Sequence, residues 1–418
     1  MSTTRTRLTP AVAIVGGGPA GLRAAAELAP AVPGGTLVLE RERDAGGIPR
    51  HCAHTGFGVR DLHRVLTGPD YARRMVRAAE RAGAEIRTGA MVTGWSPDGG
   101  LEVTAPDGLF EVRPRAIVLA TGARERPRTA RLIPGDRPDG VYTTGHLQNL
   151  VHLHHRSPGR RAVVVGSELV SWSAVLTLRE AGCRTVLMTS ERPRGEAYAL
   201  LPLAGRAGLR VPLRTRTRVV RIIGKGRVEA VQIEDAGSGR RWNVPCDTVV
   251  FTGDWIPDNE LARAAGLDLD PGTLGPAVDG ALGTSRPEVF AAGNLLHPVD
   301  TADVAALDGA HVAGSVLDHL AGLPRPGGAV RVVAEAPLRW ISPGTHRPGG
   351  RGPARGRLLA WADEYVPFPR VTVSQDGRTL AERRLPWPAA PGRVFRVPAG
   401  MLDGARPDGG DVRVSLRR

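Results

Sequence analysis

The sequence predicts an α/β protein in which two nucleotide-binding βαβ units are followed by a small β-rich domain. Strand and helix patterns alternate through about the first 320 residues, which favours mostly parallel sheets. A small-residue turn joins strand to helix at two places in that region, and short β-type runs replace the alternation near the C-terminus. At 418 residues the chain also exceeds the usual size of one hydrophobic core.

The first βαβ unit begins with the apolar strand at residues 12–15 and a glycine-rich turn. In such a unit Gly16 makes the tight turn, Gly18 admits a pyrophosphate and Gly21 lets helix and strand pack closely. The phosphates then lie on a helix N-terminus, where free amides and the dipole favour negative charge. Glu40 ends the next strand, at the usual distance for a carboxylate that accepts from a ribose hydroxyl. We therefore predict a dinucleotide site here.

Further elements follow in order. A helix is predicted over residues 70–83, a meander of short strands over 91–112, and a buried strand from 116 that ends in a small turn. A second βαβ unit spans residues 161–190, with Glu168 in place of the second glycine and Ser171 in place of the third. Glu168 adds bulk and negative charge where a pyrophosphate would lie. These replacements favour a retained fold with a disabled nucleotide site, and NAD(P) binding there is the alternative.

The last part of the chain differs in pattern from the rest. Residues 324–328, rich in proline and glycine, form a predicted linker. Short β-type runs at 371–373 and 394–397, with turns at 375–377 and 408–410, predict a β-rich domain over 329–418. No motif in it carries recognisable chemistry.

Composition narrows the function classes. The formal net charge is +14, but it comes from scattered arginines, with Lys225 the only lysine, so we expect no nucleic-acid partner. Cys52, Cys183 and Cys246 are too far apart for a disulfide framework or a cluster site, which fits a reducing cytoplasm. The first apolar stretch is only a few residues long and runs into the glycine motif, so we expect no signal peptide. Later stretches do not reach the roughly 18 apolar residues of a membrane span, so we expect none.

Three separated segments together resemble the FAD fingerprints of the pyridine nucleotide-disulfide oxidoreductase superfamily: the first glycine turn, the turn at 120–122, and residues 289–294 with the helical pattern after 301. The resemblance implies a glutathione/thioredoxin reductase-like fold with two Rossmann-like domains, and FAD as cofactor. Asn294 stands where the family usually has Asp, and its amide can still accept and donate. The residues implied to contact FAD are Gly16, Gly18, Pro19, Ala20, Gly21, Glu40, Arg41, Gly47, Val92, Ala120, Thr121, Gly122, Gly293, Asn294 and Ala302.

The same resemblance sets the expected domain boundaries. Residues 1–150 and 256–323 form the two parts of an FAD-binding domain. Residues 151–255 form the degenerate NAD(P)-type domain, and 329–418 form the β-rich domain. The helix after 301 is expected to aim its N-terminus at the flavin and stabilise the negative charge of its reduced form.

A narrower likeness lies in residues 46–58, which are similar to the Cys-x-His-x-Gly-Phe-Gly segment of flavoproteins found with glycerol catabolism. FAD subunits of opine, proline and sarcosine-type amine dehydrogenases share this segment. In the larger family it passes the flavin ring and bears a redox cysteine pair. Cys52 has no resolving partner in sequence, so thiol-disulfide chemistry is not expected.

Residues 46–58, which the resemblance places beside the flavin ring, contain the catalytic candidates His54, His51 and Cys52. His54 is the first choice, because hydride removal from an amine or alcohol needs a base and imidazole titrates near neutral pH. The alternative is a histidine that only bonds loop carbonyls. Three further histidines, at 152, 154 and 155, lack nearby acids or cysteines, so no metal is expected.

The predicted function is an FAD-dependent oxidoreductase that transfers a hydride between flavin and a small polar substrate, namely an amino acid, amine or hydroxy compound. Two alternatives stay open. One is an NAD(P)H-dependent flavin reductase, and the other is a non-catalytic FAD-carrying subunit of a heteromeric dehydrogenase. Expected partners are the small-molecule substrate and either a partner oxidoreductase subunit or further copies of the chain.

Overall fold

The computed structural model describes residues 6–196 and 211–417. The α-helices there are α1 (Pro19–Leu28), α2 (Gly68–Arg81), α3 (Thr144–Gln148), α4 (Leu169–Glu180), α5 (Glu260–Ala264) and α6 (Ala302–Leu320). The strands of the first half are β1 (Thr6–Leu8), β2 (Val12–Val15), β3 (Thr36–Leu39), β4 (Thr55–Phe57), β5 (Leu66–Thr67), β6 (Glu85–Arg87), β7 (Met91–Trp95), β8 (Leu101–Ala105), β9 (Gly108–Val112), β10 (Ala116–Leu119), β11 (Ala123–Glu125), β12 (Val141–Thr143), β13 (Arg161–Val165) and β14 (Arg184–Thr189).

The remaining strands are β15 (Leu213–Arg214), β16 (Thr217–Ile223), β17 (Ala230–Asp235), β18 (Arg241–Pro245), β19 (Thr248–Phe251), β20 (Trp255–Pro257), β21 (Val289–Ala291), β22 (Val330–Ala334), β23 (Leu338–Ser342), β24 (Thr345–His346), β25 (Arg357–Ala362), β26 (Arg370–Gln375), β27 (Arg378–Arg384), β28 (Val394–Pro398) and β29 (Val412–Arg417). Contacts divide the chain into two compact units. The first comprises the chain up to Arg50, Gly56–Ala123 and Pro257 onward, and the second comprises His51–Thr55 and Arg124–Ile256.

A five-stranded parallel sheet forms the centre of the first unit. Its strand order is β21-β10-β2-β3-β6, and β2, β3, β10 and β21 are buried at every position. Strands buried on both faces are expected to consist of continuous Val, Ile, Leu and Ala runs, as these do apart from Thr36 and Phe290. Helices α1 and α6 pack on the sheet through apolar faces. The first predicted βαβ unit is thereby confirmed.

The predicted meander is present as β7, β8 and β9, paired antiparallel. Strand β1 extends this sheet by pairing parallel with β9, so that Thr6 lies opposite Phe110. Strand β1 is not predicted from the sequence, because a strand of three residues is too short to show alternation.

The second unit contains the second predicted βαβ pattern. Its parallel sheet has the order β12-β19-β13-β14-β15, with α4 connecting β13 to β14. A three-stranded antiparallel sheet, β16-β17-β18, packs beside it around Val219, Ile222, Val231 and Phe251. The predicted α/β fold class with two such sheets is confirmed.

The C-terminal residues form two sheets, ordered β24-β22-β29-β26-β27 and β23-β25-β28, around a hydrophobic cluster of their own. Ion pairs join this β-rich part to the segment before it within the first unit. Arg347 Nε lies 2.8 Å from Asp279 Oδ2, and Arg351 Nη2 lies 2.7 Å from Asp318 Oδ2. None of the helices in the described part of the chain combines the length and hydropathy that a bilayer span requires.

Candidate functional site

The glycine turn after β2 is closely packed on two sides. Gly16 has φ +109°, and a Cβ there would lie 2.4 Å from the carbonyl oxygen of Ala120. A Cβ on Gly21 would lie 2.0 Å from the carbonyl oxygen of Gly16. Both distances are far below van der Waals contact, so these two positions require glycine for the fold itself. The predicted roles in turning and in close helix packing agree with this geometry.

Gly18 is different, because the space beside it is open. The nearest atom to a Cβ built on Gly18 is the Cα of Gly47, at 4.0 Å. Gly18 is also the N-cap of α1, with Pro19 in the first turn, and no side chain caps the helix amides. An uncapped N-terminus beside an open cradle is the arrangement that binds a dinucleotide pyrophosphate. The residues present therefore fit the pyrophosphate of FAD.

Glu40 closes the other side of this turn. The residue is 7% exposed, and its Oε2 accepts from the Gly17 amide at 2.8 Å while Oε1 accepts from the Glu42 amide at 2.8 Å. Burial raises the pKa of Glu40, and these two amides oppose that rise. Each carboxylate oxygen retains a lone pair, so the predicted ribose contact is compatible with the clamp on Gly17.

The turn after β10 is tied to the segment that starts at residue 257. Thr121 Oγ1 donates to the Asp258 carbonyl at 2.7 Å, and the Gly122 carbonyl accepts from the Asp258 amide at 3.0 Å. Arg41 Nη2 lies 3.3 Å from Asp258 Oδ2. Val92 is buried in edge strand β7, so a cofactor contact there would use its backbone.

The side-chain amide of Asn294 forms two hydrogen bonds with the backbone of Asp300. Its Nδ2 donates to the Asp300 carbonyl at 3.0 Å, and its Oδ1 accepts from the Asp300 amide at 3.2 Å. An ionised aspartate accepts but cannot donate, so only an amide completes this pair. The loop before α6 is thus held by Asn294, and its implied contact with FAD would use the remaining hydrogen-bonding capacity of the amide.

Two small residues bring α1 and α6 close together. A Cβ on Gly293 would lie 2.8 Å from the Ala20 Cβ, and a Cβ on Gly309 would lie 2.1 Å from the Ala20 carbonyl oxygen. Helix α6 begins at Ala302, whose carbonyl accepts from the Tyr71 hydroxyl at 3.5 Å. The three FAD-fingerprint segments therefore converge within the first unit.

The start of α4 in the second unit contrasts with the start of α1. Glu168 is the N-cap of α4 and forms a capping box with Ser171, whose Oγ accepts from the Glu168 amide at 3.1 Å. A Cβ built on Gly253 would lie 2.1 Å from each Glu168 carboxylate oxygen, so the carboxylate lies directly against Gly253. The helix amides that would bind a pyrophosphate are capped by the chain's own side chain. This geometry supports the sequence inference of a disabled nucleotide site.

The Glu168 carboxylate is held in an environment that disfavours its charge. Burial, and next Glu196, raise the pKa of Glu168 to about 8, although Arg131 opposes the rise. Between pH ~4.5 and ~8 the folded state therefore holds a proton that the unfolded state has lost, so stability falls as pH rises across this window.

We predict that Glu168→Gln removes this loss. The thermal midpoint of the variant minus that of the unsubstituted protein should rise by on the order of 5 °C between about pH 5 and about pH 8.5, because a few kcal/mol of unfolding free energy depend on this proton. Differential scanning fluorimetry across this range measures it. Glu191→Gln, at an exposed position, is the control. A pH-independent difference for Glu168→Gln would contradict the assignment of a buried, protonated carboxyl group.

Two of the three catalytic candidates, Cys52 and His54, lie in a hydrogen-bonded chain within the second unit. Cys52 Sγ donates to Gln148 Oε1 at 3.2 Å, and Gln148 Nε2 donates to Ser173 Oγ at 2.7 Å. Ser173 Oγ lies 2.6 Å from His54 Nε2, and His54 Nδ1 lies 2.9 Å from the Thr55 carbonyl oxygen. A carbonyl only accepts, so Nδ1 carries the proton and Nε2 is the basic nitrogen, which accepts from Ser173.

Sequence reasoning missed Gln148 and Ser173, because nothing local marks a glutamine or serine that meets its partner across more than 90 residues. Burial raises the pKa of Cys52 to about 12, with Glu125 as the next cause, so its sulfur stays a thiol. His51 is 5% exposed and lies in a short 3-10 turn, Ile48–His51. Among the described residues no group of three or more His, Cys, Asp or Glu is arranged to hold a metal.

The sequence is also similar to known proteins. Residues 10–309 match the profile of the pyridine nucleotide-disulphide oxidoreductase family. An opine oxidase subunit from Agrobacterium tumefaciens (strain Ach5) is 27% identical over 332 residues, which is 72% of this chain and 63% of that protein. The ferredoxin-NAD(+) reductase component of the biphenyl dioxygenase system of Paraburkholderia xenovorans is 32% identical over 189 residues, 43% of each chain. This chain thus spans less than two thirds of the length of either relative.

Solved structures share the fold. The thioredoxin reductase of T. acidophilum aligns with a TM-score of 0.63 at 23% identity, over 74% of this chain and 98% of that one. The L-proline dehydrogenase of P. horikoshii aligns with a TM-score of 0.56 at 20% identity, over 77% of this chain and 57% of that one.

Proposed function

The chain belongs to the pyridine nucleotide-disulphide oxidoreductase family, and from that premise we propose that this FAD-dependent oxidoreductase is a dehydrogenase of small polar amines, amino acids or hydroxy compounds. FAD supplies the hydride acceptor when bound, and takes both electrons of the substrate C–H bond as a C=N or C=O bond forms. Relatives that are opine oxidase subunits support an amine substrate, with opines as the first to test.

The observation that carries this proposal is the capped N-terminus of α4. With Glu168 against Gly253, the second βαβ unit offers no open cradle for the pyrophosphate of NAD(P)H, whereas Gly18 does in the first. Cys52 is a buried thiol without a second cysteine beside it, which removes the disulfide route. Electrons must then reach the flavin from a substrate other than NAD(P)H or a dithiol.

We assign His54 as the base that takes the heteroatom proton. Its Nδ1 proton is held by the Thr55 carbonyl, and Nε2 receives the proton from the substrate N–H or O–H group once the Ser173 hydroxyl turns away from it. Before that step Ser173 orients the imidazole by donating to Nε2. Ser173 is therefore a positioning residue, and Gln148 holds Ser173 in turn.

The names of the relatives support a partner protein for this chain. The dioxygenase reductase components and the opine oxidase subunits are by name parts of larger assemblies. We propose that this chain passes its electrons to a partner oxidoreductase subunit. Self-assembly into a homo-oligomer is the alternative.

A second candidate function is an NAD(P)H-dependent reductase. The observation in its favour is the 30–32% identity to ferredoxin-NAD(+) reductase components over 43–44% of this chain. In that case NAD(P)H would have to displace the Glu168 carboxylate from Gly253.

Anaerobic reduction separates the two candidates. We predict that NADH or NADPH at sub-millimolar concentration bleaches the flavin slowly or not at all, because α4 is capped by Glu168. A panel of opines, proline and small hydroxy acids should contain a compound that bleaches it rapidly. Stopped-flow absorbance measures both. Reduction by NAD(P)H within about a second, faster than by any panel compound, would establish the reductase instead. Inertness toward both sets would leave the non-catalytic FAD-carrying subunit.

A further inference from the structure

A cavity of about 410 Å³ lies within the first unit, in the size range of sites for small organic ligands. Its lining combines four arginines with two aliphatic side chains: Arg60, Val304, Arg355, Arg357, Leu359 and Arg396. Such a concentration of guanidinium groups is costly to bring together unless anions compensate it.

The sheet register explains why three of these residues face one way. Leu359 of β25 lies opposite Arg396 of β28, and Arg357 precedes Leu359 by two positions on the same strand. The alternate side chains of these strands, Leu358 and Phe395 among them, are buried in the β-rich core. The polar face of this sheet therefore presents two arginines around one leucine.

Two of the arginines are already compensated. Arg60 Nη1 lies 3.4 Å from Asp303 Oδ1, at the start of α6. Arg355 Nη2 lies 3.5 Å from Asp308 Oδ1, one turn further along α6. Arg355 holds this position from a left-handed backbone, φ 62°, which is unfavourable for a residue other than glycine.

Asp308 is itself anchored in the core. It is 2% exposed, and its Oδ2 lies 2.7 Å from His297 Nε2. Burial lowers the pKa of His297, but Asp308 and Asp300 outweigh it and raise that pKa to about 10, so the imidazole is positively charged at neutral pH. Asp303 and Asp308, the two carboxylates paired with cavity arginines, thus do not neutralise the cavity.

The other two arginines lack acidic partners. Among the residues that the structure describes, neither Arg357 nor Arg396 has a carboxylate within salt-bridge distance. Trp387 supports both, because its ring lies 5.9 Å from the Arg357 guanidinium and its Nε1 donates to the Arg396 carbonyl at 3.2 Å. Two positive charges, one of them beside the Trp387 ring, therefore face the cavity uncompensated.

We propose that this cavity binds a small dicarboxylate, held by Arg357 and Arg396. Guanidinium groups bind carboxylates through paired, charge-assisted hydrogen bonds. A long polyanion fits less well, because the charges surround one depression of about 410 Å³ rather than form an extended stripe. This anion site does not rest on the proposed function.

Binding of succinate to the oxidised holoenzyme tests the site without turnover. Isothermal titration calorimetry should show binding that weakens with added salt. Arg357→Gln and Arg396→Gln should each weaken it by about 10- to 100-fold, the effect of one charge-assisted contact. Arg383→Gln, an exposed arginine on β27 outside the cavity, is the matched control and should bind as the unsubstituted protein does. The absorbance of flavin per chain should be equal in all of them.

Four results would overturn the inference: no succinate binding, equal binding by the two arginine variants, loss of FAD from those variants, or binding of heparin fragments but not of succinate. The substrate panel separates this inference from the proposed function. Succinate binding as predicted, with no compound that bleaches the flavin, would leave the site standing and remove the function. Bleaching by a panel compound, with no binding of succinate, would leave the function standing and remove the site.

Discussion

Gly18→Val is expected to yield a folded but colourless protein. A Cβ at this position meets no atom closer than the Gly47 Cα at 4.0 Å, so the fold tolerates the added side chain. The same Cβ fills the cradle over the uncapped start of α1, where we expect the FAD pyrophosphate to bind. Affinity for FAD should fall by at least about 100-fold, or about 2.8 kcal/mol. Absorbance near 450 nm and FAD titration of the apoprotein measure this loss.

Two further variants separate loss of the cofactor from loss of the fold. Gly327→Val adds the same side chain in open space far along the chain and should stay yellow. Gly21→Ala places a Cβ 2.0 Å from the Gly16 carbonyl oxygen and should lower the thermal midpoint of the apoprotein. A yellow Gly18→Val protein with unchanged FAD affinity would show that the cofactor does not lie on the start of α1.

His54→Ala is expected to slow substrate-driven flavin reduction by about 10²- to 10⁴-fold, the usual contribution of a general base. FAD content should not change, because the contacts of His54 described above are with Thr55 and Ser173 rather than with the glycine turn. Single-turnover stopped-flow mixing with the substrate that bleaches the flavin measures the rate. Added imidazole should restore part of it, which a purely structural histidine would not allow.

Neighbouring residues provide the controls for His54. Cys52→Ser keeps a donor to Gln148 Oε1 and should cost little. Ser173→Ala removes one hydrogen bond to Nε2 and should slow reduction by about fivefold to tenfold, since such a bond is worth about 1 kcal/mol. Reduction of His54→Ala at the unsubstituted rate would place the base elsewhere and make His54 a loop residue.

Much of the fold could be predicted because its signals are local. The buried runs at β2, β10 and β13 and the small-residue turns after them mark two parallel sheets without any knowledge of packing. The hairpin turn at residues 375–377 likewise specifies the β26–β27 pair. Strand β1 escaped prediction, because its identity as a strand depends on β9, about a hundred residues away.

In the candidate site, too, the sequence indicates some features and only packing decides others. Glu168 could be recognised as a foreign residue in a glycine motif, but only packing decides that its carboxylate lies on Gly253 and caps α4. Asn294 could be recognised as a departure from the family, and only the fold brings the Asp300 backbone to both ends of its amide. In each case the residue type was visible and its partner was not.

The sequence by itself determined the fold class, the glycine turn on which we place FAD, and the loss of the glycines in the second such turn, because each depends on residues a few positions apart and on the steric limits of the backbone. Only the tertiary structure decided which side chains meet: His54 with Ser173, Asp308 with His297 and Arg355, and the arginines of β25 and β28 around one cavity. Those contacts join distant segments through strand register and helix packing, and an arginine in so arginine-rich a chain carries no local sign of the anion it would bind.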